Sequence, residues 1–411
     1  MSYNINLKVG NDTGNSEHDI LINGYQICQP NVIAKAKKKP NLEELNQNIF
    51  IEKLEDNLII DLISNNDDVA TGTYYCGKSA LNSREMVRSI EVGVYNNKAE
   101  SEIVFINTLA QIAGYAVKQA HKEGKLEEEV KVNVDMTGAL PINQYTKIIA
   151  NSFADRFLKE VHTLQVATPE KKVKVDIKFD FIKILQEGIT TTFSLDVAKD
   201  DLFKVYNEKV KNKENKFKEV YSEILNRRYF EDQERHILHI AIGEGTTEYP
   251  ITIGKKFDPN FIEGSNNGVG HAIDDSLVAF KKQFNLQNFT RQQFSDVIRD
   301  NGHKYHQSAL EELEPNLEEQ AREILLNAKR EISKANNEVD VVLVYGGGSI
   351  LMRQALESKL ERVCEQTKIK LLYLEEKDAV TIECKGLYQF TNSDIFAFLK
   401  EKSKQTELAN A

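Results

Sequence analysis

The sequence predicts an α/β protein built as two domains. A helical pattern from Glu102 to Lys122 leads into the alternating segment Val130 to Asp135, the order that a sheet with helical cover produces. At 411 residues the chain exceeds what one ordinary core organises, so two domains are expected. Three strand-like runs also end in corners containing glycine, where a missing Cβ lets the backbone approach a ligand.

Taken in order, residues 4–24 read as a hairpin, with Ile5 to Val9 and Asp19 to Ile22 as strands and Asp12-Thr13-Gly14-Asn15 as the turn. Lys35 to Pro40 is a basic loop. Strand signals follow at Ile49-Phe50-Ile51 and Leu58 to Ile63, then the segment Thr73 to Ala80. Within the long helix, Ile103, Ile106, Leu109, Ala113, Ala116, Val117 and Ala120 recur three and four apart and mark one apolar face; Gly124 is its stop. The next strand, Val130 to Asp135, is expected to break at Thr137-Gly138-Ala139-Leu140-Pro141.

A second helix is expected from about Asn143 to Glu160, with Ile148, Ile149, Phe153 and Phe157 inward. Val173 to Phe181 alternates with a period of two, as a half-buried strand does. Lys199 to Glu234 is densely charged and reads as a surface elaboration. Ile237 to Ile242 then enters the corner Gly243-Glu244-Gly245-Thr246-Thr247 and returns as Ile251 to Ile253, a second hairpin. The small-residue loop Gly264 to Gly270 opens a helix from about His271 to Gln283, and two more fill Arg291 to Ala335, one starting near Pro315. Val339 to Tyr345 is the last strong strand; Gly346-Gly347-Gly348-Ser349 follows, with a helix from about Ile350. Phe390 to Lys400 reads as a terminal helix and 403–411 as a frayed tail.

The net charge is −10, from 63 acidic and 53 basic side chains, which opposes direct contact with a nucleic acid. Cys28, Cys76, Cys364 and Cys384 form no CxxC pair, so reduced thiols are expected rather than a zinc or disulfide framework. No apolar run approaches the roughly 18 residues of a membrane span and no signal peptide is apparent, so a cytoplasmic protein without a membrane partner is expected.

The corners Asp12 to Ser16, Gly243 to Thr247 and Gly346 to Ser349 can each offer N–H groups to an anion, and the third opens a helix. A plain turn is the competing reading of each. Neither GxxxxGK[ST] nor GxGxxG spacing occurs there, which argues against a P-loop or a dinucleotide fold. Their order resembles the superfamily of actins, heat-shock chaperone ATPases and sugar kinases. Thr73-Tyr74-Tyr75-Cys76-Gly77, Gly138-Ala139-Leu140-Pro141-Ile142-Asn143-Gln144-Tyr145 and Val344-Tyr345-Gly346-Gly347-Gly348-Ser349 are most similar to ParM-type bacterial actins, which segregate plasmids.

The resemblance implies an actin-like two-lobed ATPase fold around a nucleotide cleft. Residues 1–145, completed by a C-terminal helix at about 385–400, would form the first lobe. Residues 146–384, with the charged insertion at about 199–235, would form the second, and 401–411 a flexible tail. It implies ATP or GTP with Mg2+ as cofactors, with Asp12 holding the metal through water. Thr13, Gly14, Asn15 and Ser16 would contact phosphates, as would Gly243, Gly245, Thr246 and Thr247; Gly346, Gly347, Gly348 and Ser349 would lie against the adenosine. Glu187, in Leu185-Gln186-Glu187-Gly188, falls where the family orients the attacking water. Two departures stand out. Ala241 occupies a position that usually carries Asp, so either Glu244 takes over a metal or water role or hydrolysis is slow; and Glu17, His18 and Asp19 follow Ser16 where a phosphate-binding Lys is usual. The implied function is a nucleotide-hydrolysing filament that reaches plasmid DNA through a DNA-binding adaptor; a small-molecule kinase and a non-hydrolysing scaffold are the alternatives.

Overall fold

The computed structural model describes residues 2–38, 40–63, 69–90, 97–126, 129–212, 224–258, 260–261 and 263–410. The chain forms two compact units: Met1–Leu140, Gln144–Thr190 and Cys384–Ala411 make the first, Pro141–Asn143 and Thr191–Glu383 the second. The division expected near residue 145 thus falls at 190, because the strand after the second helix joins the first sheet. Part of the charged insertion at 199–235 lies outside the described residues.

The first unit is a ten-stranded sheet of β1 (Ser2–Thr13), β2 (Glu17–Ile22), β3 (Tyr25–Pro30), β4 (Val32–Lys35), β5 (Ile59–Leu62), β6 (Gly72–Cys76), β7 (Val87–Ser89), β8 (Glu129–Leu140), β9 (His162–Ala167) and β10 (Lys172–Gln186), in the order β3-β2-β1-β8-β10-β9-β5-β6-β4-β7. Its heart is parallel: β8 lies between β1 and β10, with Asn11 opposite Gly138 and Gln186 opposite Leu140. The carboxyl ends of three adjacent strands therefore lie side by side, which is where open α/β sheets place ligands.

Helices α1 (Gln47–Glu52), α2 (Lys78–Asn82), α3 (Glu102–Lys122) and α4 (Lys147–Leu158) cover this sheet. The Ser101 side chain accepts from the Val104 N–H and caps the start of α3. The one-faced helix expected here is instead buried almost all round, and Asn107 and Lys118 on it are tied to neighbouring elements: Asn107 donates to Asn31 Oδ1 at 2.8 Å and Lys118 to Glu55 Oε2 at 2.6 Å. Three local expectations fail. Ile49-Phe50-Ile51 belongs to α1, capped by Asn46, since a short apolar run does not by itself distinguish strand from helix. β8 continues through Gly138 to Leu140 because it is paired on both sides. Ile148 is exposed, while Phe153 and Phe157 are buried as expected.

The second unit opens with α5 (Thr190–Leu195), α6 (Lys204–Asn212) and α7 (Arg227–Glu231). Its sheet contains β11 (His236–Ile242), β12 (Thr247–Glu248), β13 (Ile251–Ile253), β14 (Lys256–Phe257), β15 (Gly264–Ser265), β16 (Val341–Tyr345) and β17 (Lys370–Tyr373). β11, β16 and β17 run parallel, so the carboxyl ends of β11 and β16 deliver the second and third corners side by side. One face packs on α8 (Val269–Gln283), α9 (Arg291–Arg299), α10 (His306–Lys334) and α11 (Gly347–Thr367); Leu195, Phe203, Tyr229 and Phe230 pack on the other. Pro315, expected to start a helix, lies inside α10 on its exposed side, where water can serve the carbonyl left without a donor. α11 starts at Gly347 rather than Ile350. After α12 (Glu376–Ala379), α13 (Ile382–Thr391) leads back to the first unit and α14 (Asp394–Asn410) follows, so the stretch expected to fray is helical to Asn410.

Candidate functional site

In the first unit the predicted residues gather at the parallel strand ends. Asp12 and Thr13 pair with Asp19 and His18 across the β1–β2 hairpin, with Gly14, Asn15 and Ser16 at its tip. The tip is braced from behind. Asn31 donates its side-chain amide to Gly14 O at 2.6 Å and its backbone N–H to Ser16 O at 2.8 Å, and Asn31 is itself held by Asn107 of α3. In a trans peptide the N–H opposes the C=O, and no peptide here is cis, so binding the Gly14 carbonyl turns the Asn15 N–H away from Asn31.

Glu187 follows β10 directly, its N–H donated to Leu140 O at 2.9 Å. A bulge between Phe179 and Phe181 resets the alternation of β10 before it arrives there. Its carboxylate meets Lys98 Nζ at 2.6 Å, with side-chain exposures of 15% and 6%. Lys98 comes from the turn before α3, where its N–H donates to Gln144 Oε1 at 3.0 Å and the Arg156 guanidinium holds the next carbonyl, Ala99 O, at 2.6 Å. Burial raises Asp12 to about 6, Lys98 acts against that rise, and Glu187 and Glu17 add to it. The structure thus brings Asp12 and Glu187 into one electrostatic group and adds Lys98, which the sequence reading missed: a lone Lys in a polar stretch carries no periodic or motif signal. His18, on the other face, is lowered by burial to about 3 and bonds Asn11 Oδ1 at 2.7 Å.

In the second unit the corner after β11 is tight, with Gly243 N donating to Thr246 O at 2.9 Å. Its next carbonyls turn onto the start of α8: Val269 N donates to Gly243 O at 3.1 Å, Gly270 N to Glu244 O at 2.7 Å and Gly268 N to Gly245 O at 3.3 Å. By peptide planarity, the N–H groups of Glu244, Gly245 and Thr246 then all face away from α8, a nest suited to an anion. This close docking explains Gly268 and Gly270, where a Cβ would lie 2.2 Å and 2.7 Å from Glu244 O. Thr247 is buried, with Oγ1 donating to Asn267 O at 2.8 Å.

The third corner packs on the second. Gly346 has φ 92° and no room for a Cβ, which would meet Ile242 O at 2.4 Å; at Gly348 one would lie 2.8 Å from Gly243 O. Gly347 faces open space. Ser349 is turned inward, its hydroxyl donating to Gly346 O at 2.7 Å and its carbonyl accepting from Tyr373 Oη at 2.6 Å.

Glu244, the residue that would take over a metal or water role if hydrolysis is not slow, pairs with Arg291 Nη2 at 3.0 Å, and Arg291 Nε meets Asp274 at 3.1 Å, so this pairing ties the hairpin tip to α8 and α9. The acid nearest Ala241 in the sheet is Glu248, its Cα partner across β11 and β12, which is 1% exposed. Partners directly opposite share a face. His239 is buried between Thr191, Thr252 and Tyr345, and burial lowers it to about 3, so it packs as a neutral ring.

The fold so assembled is actin-like. A search of solved structures finds the actin-like protein Alp7A (16% identity, TM-score 0.68, covering 98% of this chain and 100% of that one), Bacillus thuringiensis ParM with ATP (16%, 0.57, 94% and 98%), and a 15-stranded ParM filament from Clostridium botulinum (13%, 0.63, 95% and 99%). ParM-type proteins are thus among the solved structures that share this fold. No protein-family profile and no curated protein sequence matches it.

Proposed function

We propose that the chain binds ATP or GTP with Mg2+, polymerises with itself into filaments, and hydrolyses the nucleotide so that those filaments turn over. A DNA-binding adaptor links the filament to a plasmid in the cytoplasm. The observation that carries this reading is the second corner, where three successive N–H groups face outward because α8 holds the three carbonyls behind them. Likeness to a ParM filament supports self-assembly. The net charge of −10 favours an adaptor over direct DNA contact.

In this reading the N–H groups of Gly14 to Ser16 and of Gly243 to Thr247 take the phosphates, and Gly346 to Gly348 bound the adenosine. Ser349 acts from behind, by fixing the Gly346 carbonyl. Asp12 holds the cation through water; the partly buried carboxylates at this loop fit such a group, and the cation supplies charge neutralisation on phosphate oxygens. Glu187 orients the attacking water and Lys98 positions Glu187. Phosphoryl transfer asks mostly for such positioning. Ala241 favours one second reading, a scaffold that binds nucleotide without turnover.

Light scattering run beside phosphate release, with ATP or GTP, tests both. Scattering that requires nucleotide and is accompanied by phosphate release is expected. Scattering independent of nucleotide, or none, overturns the filament reading; nucleotide-dependent scattering without release selects the scaffold. Transfer to an added metabolite instead selects a kinase.

A further inference from the structure

The first hairpin carries a second carboxylate that the roles above leave unused. Asp19 is the cross-strand Cα partner of Asp12 on one side and of Cys28 on the other, so the three side chains form a row on one face of the sheet. α13 closes that face: at Gly10, two residues before Asp12, a Cβ would lie 2.4 Å from the Tyr388 N, and Cys384 Sγ donates to Gly10 O at 3.5 Å. Gln26 Nε2 lies 3.7 Å from the sulfurs of both Cys28 and Cys384. Within this row Asp19 is 5% exposed, and its Oδ1 has no hydrogen-bond partner. A buried carboxylate oxygen without a donor is costly unless something else serves it. Burial pushes Asp19 up to about 8, with Glu17 and Asp12 adding to the rise and the Cys28 thiol acting against it.

We propose that Asp19 is a carboxylate ligand for the divalent cation that accompanies the nucleotide, so that Asp19 directly and Asp12 through water form a two-carboxylate seat beside the hairpin tip. This rests on the nucleotide-binding reading above. Magnesium sites of this kind use one or two carboxylates completed by phosphate oxygens and water, rather than a cage made by the protein alone. Among the described residues no group of three or more His, Cys, Asp or Glu side chains could hold a metal ion, so the phosphates must complete the seat. Cation and nucleotide then bind cooperatively, since the phosphates complete the cation's ligands and the cation neutralises the phosphates.

The test compares the full chain with Asp19→Asn, reading Mn2+ affinity from the electron paramagnetic resonance of free Mn2+ in the presence of ADP, and ADP affinity separately in EDTA. Asp19→Asn is expected to weaken Mn2+ binding at least tenfold while leaving ADP affinity in EDTA equal or stronger. Mn2+ affinity within twofold of wild type overturns the proposal, as does equal weakening of both ligands. If neither ADP nor the triphosphates bind the wild-type chain at all, it is the nucleotide reading that fails. Should Asp19→Asn not fold, electron–nuclear double resonance on wild-type protein labelled at its aspartate carboxyl carbons counts the carboxylates at Mn2+. One aspartate carboxyl carbon at direct-ligand distance supports the seat; none overturns it.

Discussion

Lys98 and Glu187 are nearly buried and 2.6 Å apart, so each is the other's main compensation for lost hydration. Replacing Lys98 by Met leaves the Glu187 carboxylate without that counter-charge and is expected to cost about 3 kcal/mol, seen as a lower urea midpoint for the first unit. Adding Glu187→Gln should recover most of the loss, because the surviving neutral amide no longer needs a cation. Glu187→Gln alone is expected to keep assembly and slow phosphate release roughly 100-fold; unchanged release would remove Glu187 from the mechanism. A second pair separates structure from chemistry. Glu244→Gln breaks the Arg291 tie and should lower stability with little effect on release per folded molecule, whereas Glu248→Gln, at the position facing Ala241, should slow release. The opposite ranking would return the role to Glu244. Asp12 and Glu187 could be singled out from sequence because short motifs surround them. Lys98 and Glu248 could not, since pairing across 89 residues or across two strands leaves no local trace.

At the scale of elements, the two hairpin tips share one device: their carbonyls are held from behind, by Asn31 in the first and by the start of α8 in the second, which turns N–H groups outward. Gly268→Ala would push a Cβ to 2.2 Å from Glu244 O, and backbone cannot yield cheaply. It is expected to cost about 2 kcal/mol and to weaken nucleotide binding together with stability. Gly347→Ala is the complementary probe: its Cβ meets nothing, so stability should stay within about 0.5 kcal/mol. A loss of nucleotide affinity there, measured by calorimetry, then reports direct contact with ligand, and unchanged affinity removes Gly347 from the site. The second and third glycine corners were legible because each ends a strongly apolar strand, and the first because turn residues cluster between two alternating segments. Helix α1 was not, because six residues are too few to show a helical period, and α10 was misread because Pro315 resembles a helix start unless its exposed position is known.

Across the molecule, the buried histidines and acids pull stability in opposite directions with pH. His18 and His239, both lowered to about 3, stay neutral in the fold while an unfolded His protonates near 6.5, so the unfolded state binds more protons between those values and stability falls as pH drops through that window. Asp19 and Asp12, raised to about 8 and about 6, hold protons in the fold that an unfolded Asp has released, so their contribution is lost as pH rises from about 4 towards those values. In the first unit the two trends overlap and flatten one another. In the second, the hydrogen-bond partners of His239 among the described residues are Thr191, Thr252 and Tyr345, none of them an acid that could hold its charge. The second unit should therefore lose stability first on acidification. Urea unfolding at pH 7.5, 6 and 5, followed by hydrogen exchange assigned to each unit, is expected to show protection falling in β11 and β16 before β1 and β8. His239→Gln should remove much of that acid-side slope while leaving the first unit unchanged; a slope that survives the substitution would place the titrating group elsewhere.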